Sequence, residues 1–372
     1  MKAMNPMNNP LLDSSDLALF DQIRPEHVNP AVDQLLALAS TALETVTAPG
    51  FPAEWLAISR VLDVATEALG RSWGAVTHLN GVADTPELRA AYNEALPKVT
   101  EFFTRLGADE RLYAKYKAID VTSLNSEQRQ AHKNAIRNFV LGGAELTGAA
   151  RERYAAIQER LAELGQKFSE NALDATDSFA YYATLEELEG VPADVVQTAL
   201  AAARDAGKDG HKLTLKIPCY LPVMQFALSG DLRETLYRAY VTRASDQAAP
   251  EALKMDNTAL IQEILALRQE EAALLGFASF GDLSLVPKMA TSPKEVIAFL
   301  RDLAGKARPF AQKDLADLQD FATRHLNLPK LQYWDLPFAG EKLKEARYAF
   351  SEQEVKQYFT LPQSVGRPVQ DH

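Results

Sequence analysis

Residues 151–175, RERYAAIQERLAELGQKFSENALDA, place Tyr154, Ile157, Leu161, Leu164 and Phe168 at steps of three and four. Arg153, Glu159, Arg160, Glu163 and Lys167 fall on the opposite side. A stripe of this period lies along one face of a helix and is buried only by packing on other helices. The stretch is therefore a core seam rather than a ligand site, and it commits the chain to helix-on-helix packing.

The pattern changes downstream. Leu213, Leu215 and Ile217 alternate with Thr214 and Lys216, a period of two, and Pro218 and Pro222 count against both helix and central strand. A short extended segment near 213–217, at a sheet edge and running on towards Phe226, is predicted. Gly207 and Gly210 supply the turn before it and Gly230-Asp231 the break after it. LRETLYRAYVTRASD, 232–246, then reads as a second helix.

Helical periodicity recurs on both sides. Residues 1–25 are polar and proline-punctuated, an arm. Asn29 as N-cap and Pro30 at the first helical position predict a helix through Val32, Leu35, Ala39, Ala42 and Val46, stopped by Pro49-Gly50. Trp55, Ile58, Leu62, Ala65 and Leu69 mark the next, with Trp73 and His78 in the segment after it. Thr85-Pro86-Glu87 opens another, and Pro97 implies a kink or second start. Ser126 is the expected cap of a helix with Ala135, Ile136, Phe139 and Val140 on one face and His132 on its polar side. Asp256-Asn257 caps TALIQEILALRQEEAALLGF, and Ser292 to Glu295 and Ser351 to Glu354 are capping boxes. After Ser292, Val296, Phe299, Leu300, Leu303, Leu315, Leu318 and Phe321 form apolar faces interrupted by Pro309. The expectation is an all-α chain, about three-quarters helical against a usual ~30–35%. It comprises packed multi-helix domains with one small antiparallel β hairpin. No fixed-period repeat supports a solenoid. The expected division is 1–150, a helical domain, and 151–372, the central helices and short strands.

Composition narrows the partners. With 39 Lys plus Arg against 50 Asp plus Glu, net charge −11, nucleic acid is not an expected ligand. One cysteine, Cys219, forms no internal disulfide, and the N-terminus has no apolar signal region, so a cytoplasmic location is expected. No run approaches the ~18 apolar residues of a membrane span.

The chemistry-bearing residues are scattered. A zinc peptidase needs two histidines one helical turn apart with a glutamate between them, the word H-E-x-x-H. His27, His78, His132, His211, His325 and His372 are all more than ten residues apart, and the word is absent. G-x-S-x-G, G-x-x-x-x-G-K-[ST] and C-x-x-C are absent as well. Cys219 reads as a half-buried structural thiol. Glu270 and Glu271, adjacent on a helix, point about 100° apart and do not share a proton or metal. Arg153, Arg160, Arg233, Arg238 and Arg243 read as solvated faces and interhelical ion pairs, an arginine meeting a substrate carboxylate being the lesser alternative. Tyr181, Tyr182, Tyr220, Tyr237 and Tyr240 could line a groove for an extended peptide, with core packing the preferred role. No catalytic, cofactor-binding or metal-binding residue is assigned, and substrate-binding residues stay unknown.

Four words, QKFSENALDAT (166–176), LTLKIPCYLPVM (213–224), LRETLYRAYVTRASDQ (232–247) and EILALRQEEAALLGF (263–277), resemble the thimet oligopeptidase and neurolysin family of zinc metallopeptidases. The likeness runs from about Asn9 through Tyr358 and covers the family's N-terminal half. It implies half of a helical ellipsoid divided by a deep channel that admits short, unstructured peptides. On this resemblance residues 151–372 include the start of the peptidase domain, truncated before the zinc motif. SVGRPVQDH reads as a truncated or frameshifted end. Zinc and short-peptide substrates belong to the complete enzyme; the zinc ligands, the catalytic glutamate and the main substrate contacts lie in the half not present. None transfers to a residue here. In LQYWDLPFAGEKLKEARYAF the chain keeps Trp334-Asp335 and Lys342 but has Phe338-Ala339 where two tyrosines are common. This chain alone is expected to be inactive and zinc-free, with an exposed apolar patch beyond Ser292. The alternative is a non-catalytic helical module that binds peptides or a partner protein.

Overall fold

The computed structural model describes residues 9–13, 17–349, 354–355 and 358–359. Helices dominate, in the order α1 (Pro25–Thr47), α2 (Trp55–Val82), α3 (Pro86–Gly107), α4 (Glu110–Lys117), α5 (Ser126–Leu141) and α6 (Gly148–Asp177). Strand β1 (Tyr181–Ala183), α7 (Ala193–Asp205), β2 (His211–Leu213), α8 (Ile217–Phe226) and α9 (Gly230–Val241) follow. The described chain closes with α10 (Thr258–Leu274), α11 (Phe280–Leu285), α12 (Pro293–His325) and α13 (Leu336–Tyr348). Among the described residues no helix is long and apolar enough to cross a membrane. The chain divides into two units, one formed by 1–166 and 262–295, the other by 167–261 and 296–372.

In the first unit α1 is the central element. Its stripe Val32, Leu35, Ala39, Ala42 and Val46 is buried as its period demands, and Leu43 joins it. Each fully buried aliphatic side chain contributes about 1.5–3 kcal/mol by leaving water. The helix starts earlier than Asn29. Pro25 takes the first helical position, and His27 Nδ1 accepts the Arg24 N–H at 3.0 Å, satisfying a donor that the helix itself leaves orphaned. Pro30 lies inside the helix, and the Asn29 amide donates to Glu94 Oε2 at 3.0 Å.

Three further expectations shift. α2 runs on through Trp73 and His78 as one helix, and Trp73 stacks on Tyr92 of α3 with centroids 4.6 Å apart. α3 continues through Pro97 without a second start, its N-cap Thr85 accepting the Leu88 N–H. The cap of α5 is Asn125 rather than Ser126, in a reciprocal box with Gln128. The ends of α3 and α5 meet at glycines: a Cβ on Gly142 would lie 2.8 Å from the Gly107 carbonyl oxygen.

The seam of α6 is buried at Tyr154, Ile157 and Leu164 but ends there, Phe168 being 38% exposed. Its charged side meets α10. Arg153 grips both oxygens of Glu270 at 2.6 Å, and Arg160 holds Glu263 at 2.6 and 2.9 Å. These are the interhelical ion pairs the sequence implies, and at such exposure water screens them. Glu271 points elsewhere: it is buried, accepts from Gln158 Nε2 at 2.8 Å, and burial raises its pKa.

The second unit holds the β element. β1 and β2 pair antiparallel, Tyr181 opposite Leu213 and Ala183 opposite His211. The strands are joined through α7 and not by a hairpin turn, and β2 ends at Leu213. The extended reading of 214–226 is corrected, for α8 begins at Ile217. Pro218 sits in its first turn, where a missing N–H costs nothing, and the Lys216 carbonyl accepts from Cys219 and Tyr220 N–H. Pro222 is tolerated inside because Tyr220, Val223, Met224 and Phe226 are all buried. Tyr220, Val223 and Met224 make one core with Leu213, Leu215, Leu232 and Leu236, to which Trp334 adds from the turn before α13.

Candidate functional surface

Zinc is the group the resemblance implies, and the donors present do not fit it. His27 is engaged at the α1 N-terminus, and His132 is half-buried rather than on a polar face, its Nε2 2.8 Å from the Tyr116 carbonyl oxygen. His211 lies in β2 with Nδ1 3.3 Å from the Ala183 carbonyl oxygen. His78 packs on Phe20 and His325 on Phe321, while His372 lies outside the described residues. Among the described residues no three His, Cys, Asp or Glu side chains converge. Cys219 sits in the first turn of α8 and not on a strand; it is half-buried, and its Sγ accepts the Thr214 N–H at 3.4 Å.

Three of the five singled-out tyrosines come together in the second unit. Tyr220 stacks on Tyr240 at 4.2 Å, and Arg243 lies 3.8 Å over the Tyr240 ring. Burial, with Tyr240 adding, pushes the Tyr220 hydroxyl up to about 12. Tyr237 faces Tyr333 and Trp334 at 6.4 and 6.1 Å, and Arg238 lies over Trp334 at 5.2 Å. Tyr181 and Tyr182, on β1, are not part of this stack; the Tyr181 hydroxyl donates to Glu187 Oε1 at 2.5 Å. Mutual packing accounts for these rings.

Arg233 departs furthest from the sequence reading. It is 1% exposed instead of solvated. Its guanidinium donates to the Ala227 and Leu228 carbonyls at 2.6 and 3.1 Å and to Asp335 Oδ1 at 2.7 Å, and it lies 4.3 Å over the Phe338 ring. The other Asp335 oxygen accepts the Gln332 N–H at 3.0 Å. Phe338 and Ala339, where the family word commonly has tyrosines, are both buried. Asp335 in that retained word was the available signal for a buried partner, but nothing in the helical period of α9 singles out Arg233.

The most open surface is α12. Its start is capped as expected, Ser292 Oγ accepting the Glu295 N–H, although Glu295 reaches back to the N–H and hydroxyl of Thr291. The box at Ser351 lies outside the described residues. Pro309 does not break the helix, and every residue from 297 to 316 is exposed. Phe299 is 66% and Phe310 73% exposed, with Ile297, Leu300, Leu303 and Leu315 also open to solvent. At its C-terminal end Gln312, Leu315 and Gln319 line a groove of about 680 Å³ with Lys330, Tyr333 and Leu336.

Residues 32–151 match the Neurolysin/Thimet oligopeptidase N-terminal domain, and residues 223–366 match Peptidase family M3. Over 358 residues the chain is 44% identical to Oligopeptidase A of Salmonella typhimurium and 43% identical to that of Escherichia coli, covering 95% of this chain and 52% of each relative. It is 36% identical over 371 residues to Probable cytosolic oligopeptidase A of Arabidopsis thaliana, again covering 95% of this chain and 52% of that protein. The chain spans about half the length of the curated relatives it matches. With an M3 match over its later residues and a neurolysin-type match over its earlier ones, the chain is similar to M3 peptidases along most of its length.

Proposed function

We propose that this chain is the non-catalytic portion of a cytosolic zinc oligopeptidase, the zinc and its general base being supplied by sequence outside these 372 residues. The observation that carries the reading is the absence of H-E-x-x-H from all 372 residues of a chain so similar to oligopeptidase A. Hydrolysis of a peptide bond by zinc-activated water needs convergent imidazoles at about 2.0–2.1 Å and a carboxylate to take the proton. Among the described residues the histidines are held by carbonyls, a backbone N–H group and aromatic rings. In the whole protein its helices would form one wall of the cleft that receives short peptides.

The test has two arms. The purified chain, dialysed after exposure to zinc, retains no stoichiometric metal and shows no chelator-sensitive cleavage of a short fluorogenic peptide. One-to-one retained zinc with such cleavage refutes the reading. The DNA beyond the His372 codon, translated in all frames, contains H-E-x-x-H followed by a further glutamate. Its absence in every frame favours a self-contained helical binding module instead.

A further inference from the structure

We infer that the apolar face of α12 is the seam on which the rest of an M3 peptidase chain docks, an inference that rests on the proposal above and names the surface it uses. The first ground is periodicity without burial. Phe299, Leu300, Leu303, Ala307, Phe310 and Leu318 follow steps of one, three or four, except from Phe310 to Leu318, so they share one side of the helix, with Ile297 and Leu315 at its margin. Lys294, Arg301, Arg308 and Gln312 occupy the other side. Lys306, at the edge of the stripe beside Phe299, is paired within the helix to Asp302 at 2.7 Å. A helix so patterned is built to bury one face, yet no described residue buries any position from 297 to 316.

The second ground is size. Those twenty residues make a rod of about 30 Å, and six large apolar side chains open along it make a patch of the extent that marks an interaction surface. The third ground fixes the occupant. The chain accounts for 52% of the length of oligopeptidase A from two bacteria, so a polypeptide of similar size is available to cover the face in the complete protein. Such a partner presents a largely apolar surface, because the exposed stripe offers aromatic and aliphatic groups from Phe299 to Phe310, with Asp314 beyond them and Arg301 and Arg308 on the far side.

The test pairs the full 372-residue chain with the separately encoded remainder of Escherichia coli oligopeptidase A, co-expressed and purified through a tag on the 372-residue chain. A one-to-one complex that contains zinc is expected, with amide exchange in α12 slowed by on the order of a hundredfold relative to the chain alone. The triple variant Phe299→Lys/Leu303→Lys/Phe310→Lys, at positions already exposed in the chain alone, keeps the chain's circular dichroism. It weakens the complex by on the order of a hundredfold, whereas Arg301→Ala on the polar side leaves it unchanged. A zinc-containing complex indifferent to the triple variant overturns the seam while leaving the proposed function standing. If the remainder fails to fold separately, one polypeptide joining it to this chain is measured instead, and α12 amides exchanging as fast as in the chain alone overturn the inference. So does an α12 protected in the monomeric chain alone, which assigns the face to this chain's own residues, or a dimer of the chain abolished by the triple variant, which assigns it to a second copy.

Discussion

Replacing either member of the Arg233–Asp335 pair should cost far more than replacing both. Asp335→Leu strands a guanidinium that is 1% exposed, leaving it only the Ala227 and Leu228 carbonyls as acceptors. Arg233→Met strands a carboxylate that is 4% exposed and keeps only the Gln332 N–H, while two carbonyls lose their donor. Breaking a buried pair from one side costs about 3–5 kcal/mol, because the surviving charge has lost both water and partner. The double variant strands no charge. Its remaining cost is a few weakened backbone hydrogen bonds at about 1 kcal/mol each, so it should be no more than about 3 kcal/mol less stable than the parent, against about 6–10 if the singles added. Trp334 is the sole tryptophan of the second unit and neighbours the pair in sequence. In a Trp55→Phe/Trp73→Phe background with an unchanged urea midpoint, its fluorescence reports this unit alone. Single variants costing under about 1 kcal/mol, or a double equal to their sum, would refute the reasoning.

Other outcomes follow from features already described. Limited trypsin digestion should cut first at Arg301, Lys306 or Lys313 in α12, with the α6 seam surviving longer; early cuts in α6 would contradict the burial pattern. Gly190→Ala should destabilise the second unit by about 2–4 kcal/mol, since φ is +89° and the added Cβ would lie 2.4 Å from the Phe226 carbonyl oxygen, as checked by the urea midpoint. Asn125→Ala should cost about 1 kcal/mol through the lost α5 cap, with Asn125→Ser recovering most of it in the same assay. Glu271 has a folded pKa raised above its ordinary 4.5, so its contribution is present below that value and lost as pH rises through the folded one. Glu271→Gln, which keeps an acceptor for Gln158, should therefore be more stable than the parent at neutral pH, the difference vanishing as pH falls to the ordinary glutamate range. A pH-independent difference in unfolding midpoint would disprove this.

Much of the helical architecture was legible because three-and-four spacing reports burial directly, as for Val32 to Val46 of α1. Helix starts were less so. Asn29-Pro30 and Pro25 offer the same local chemistry, and only His27 folding back on the Arg24 N–H decides between them. The Leu213 to Ile217 alternation misled for a related reason. Leu213 and Leu215 are buried, but Ile217 is 51% exposed and starts α8, so a period of two over five residues came from a strand end followed by a turn. Arg233 was illegible in principle, since its neighbours Glu234 and Arg238 on the same helix are ordinary surface charges and the carboxylate that permits its burial lies 102 residues away. The missing zinc word, by contrast, was a fact of sequence. What covers α12 could be raised from sequence as an unpartnered face and located only once exposure was known.

That 102-residue separation has a consequence for the order in which the second unit can be finished during synthesis. β1 through α9, 181–241, leave the ribosome as one block containing nearly all of the unit's main core, with the Arg233 site already enclosed on the side of Ala227 and Leu228. The counter-charge does not exist until Asp335 has been made, which at about 5–20 residues per second is some 5–20 s later. Throughout that interval the nascent block must either keep the guanidinium hydrated by leaving the start of α9 loose, or hold a charge in a half-built interior. Arrival of Asp335 thus acts as the final key in a vectorial sequence, and the block upstream remains open to chaperones and proteases until it turns.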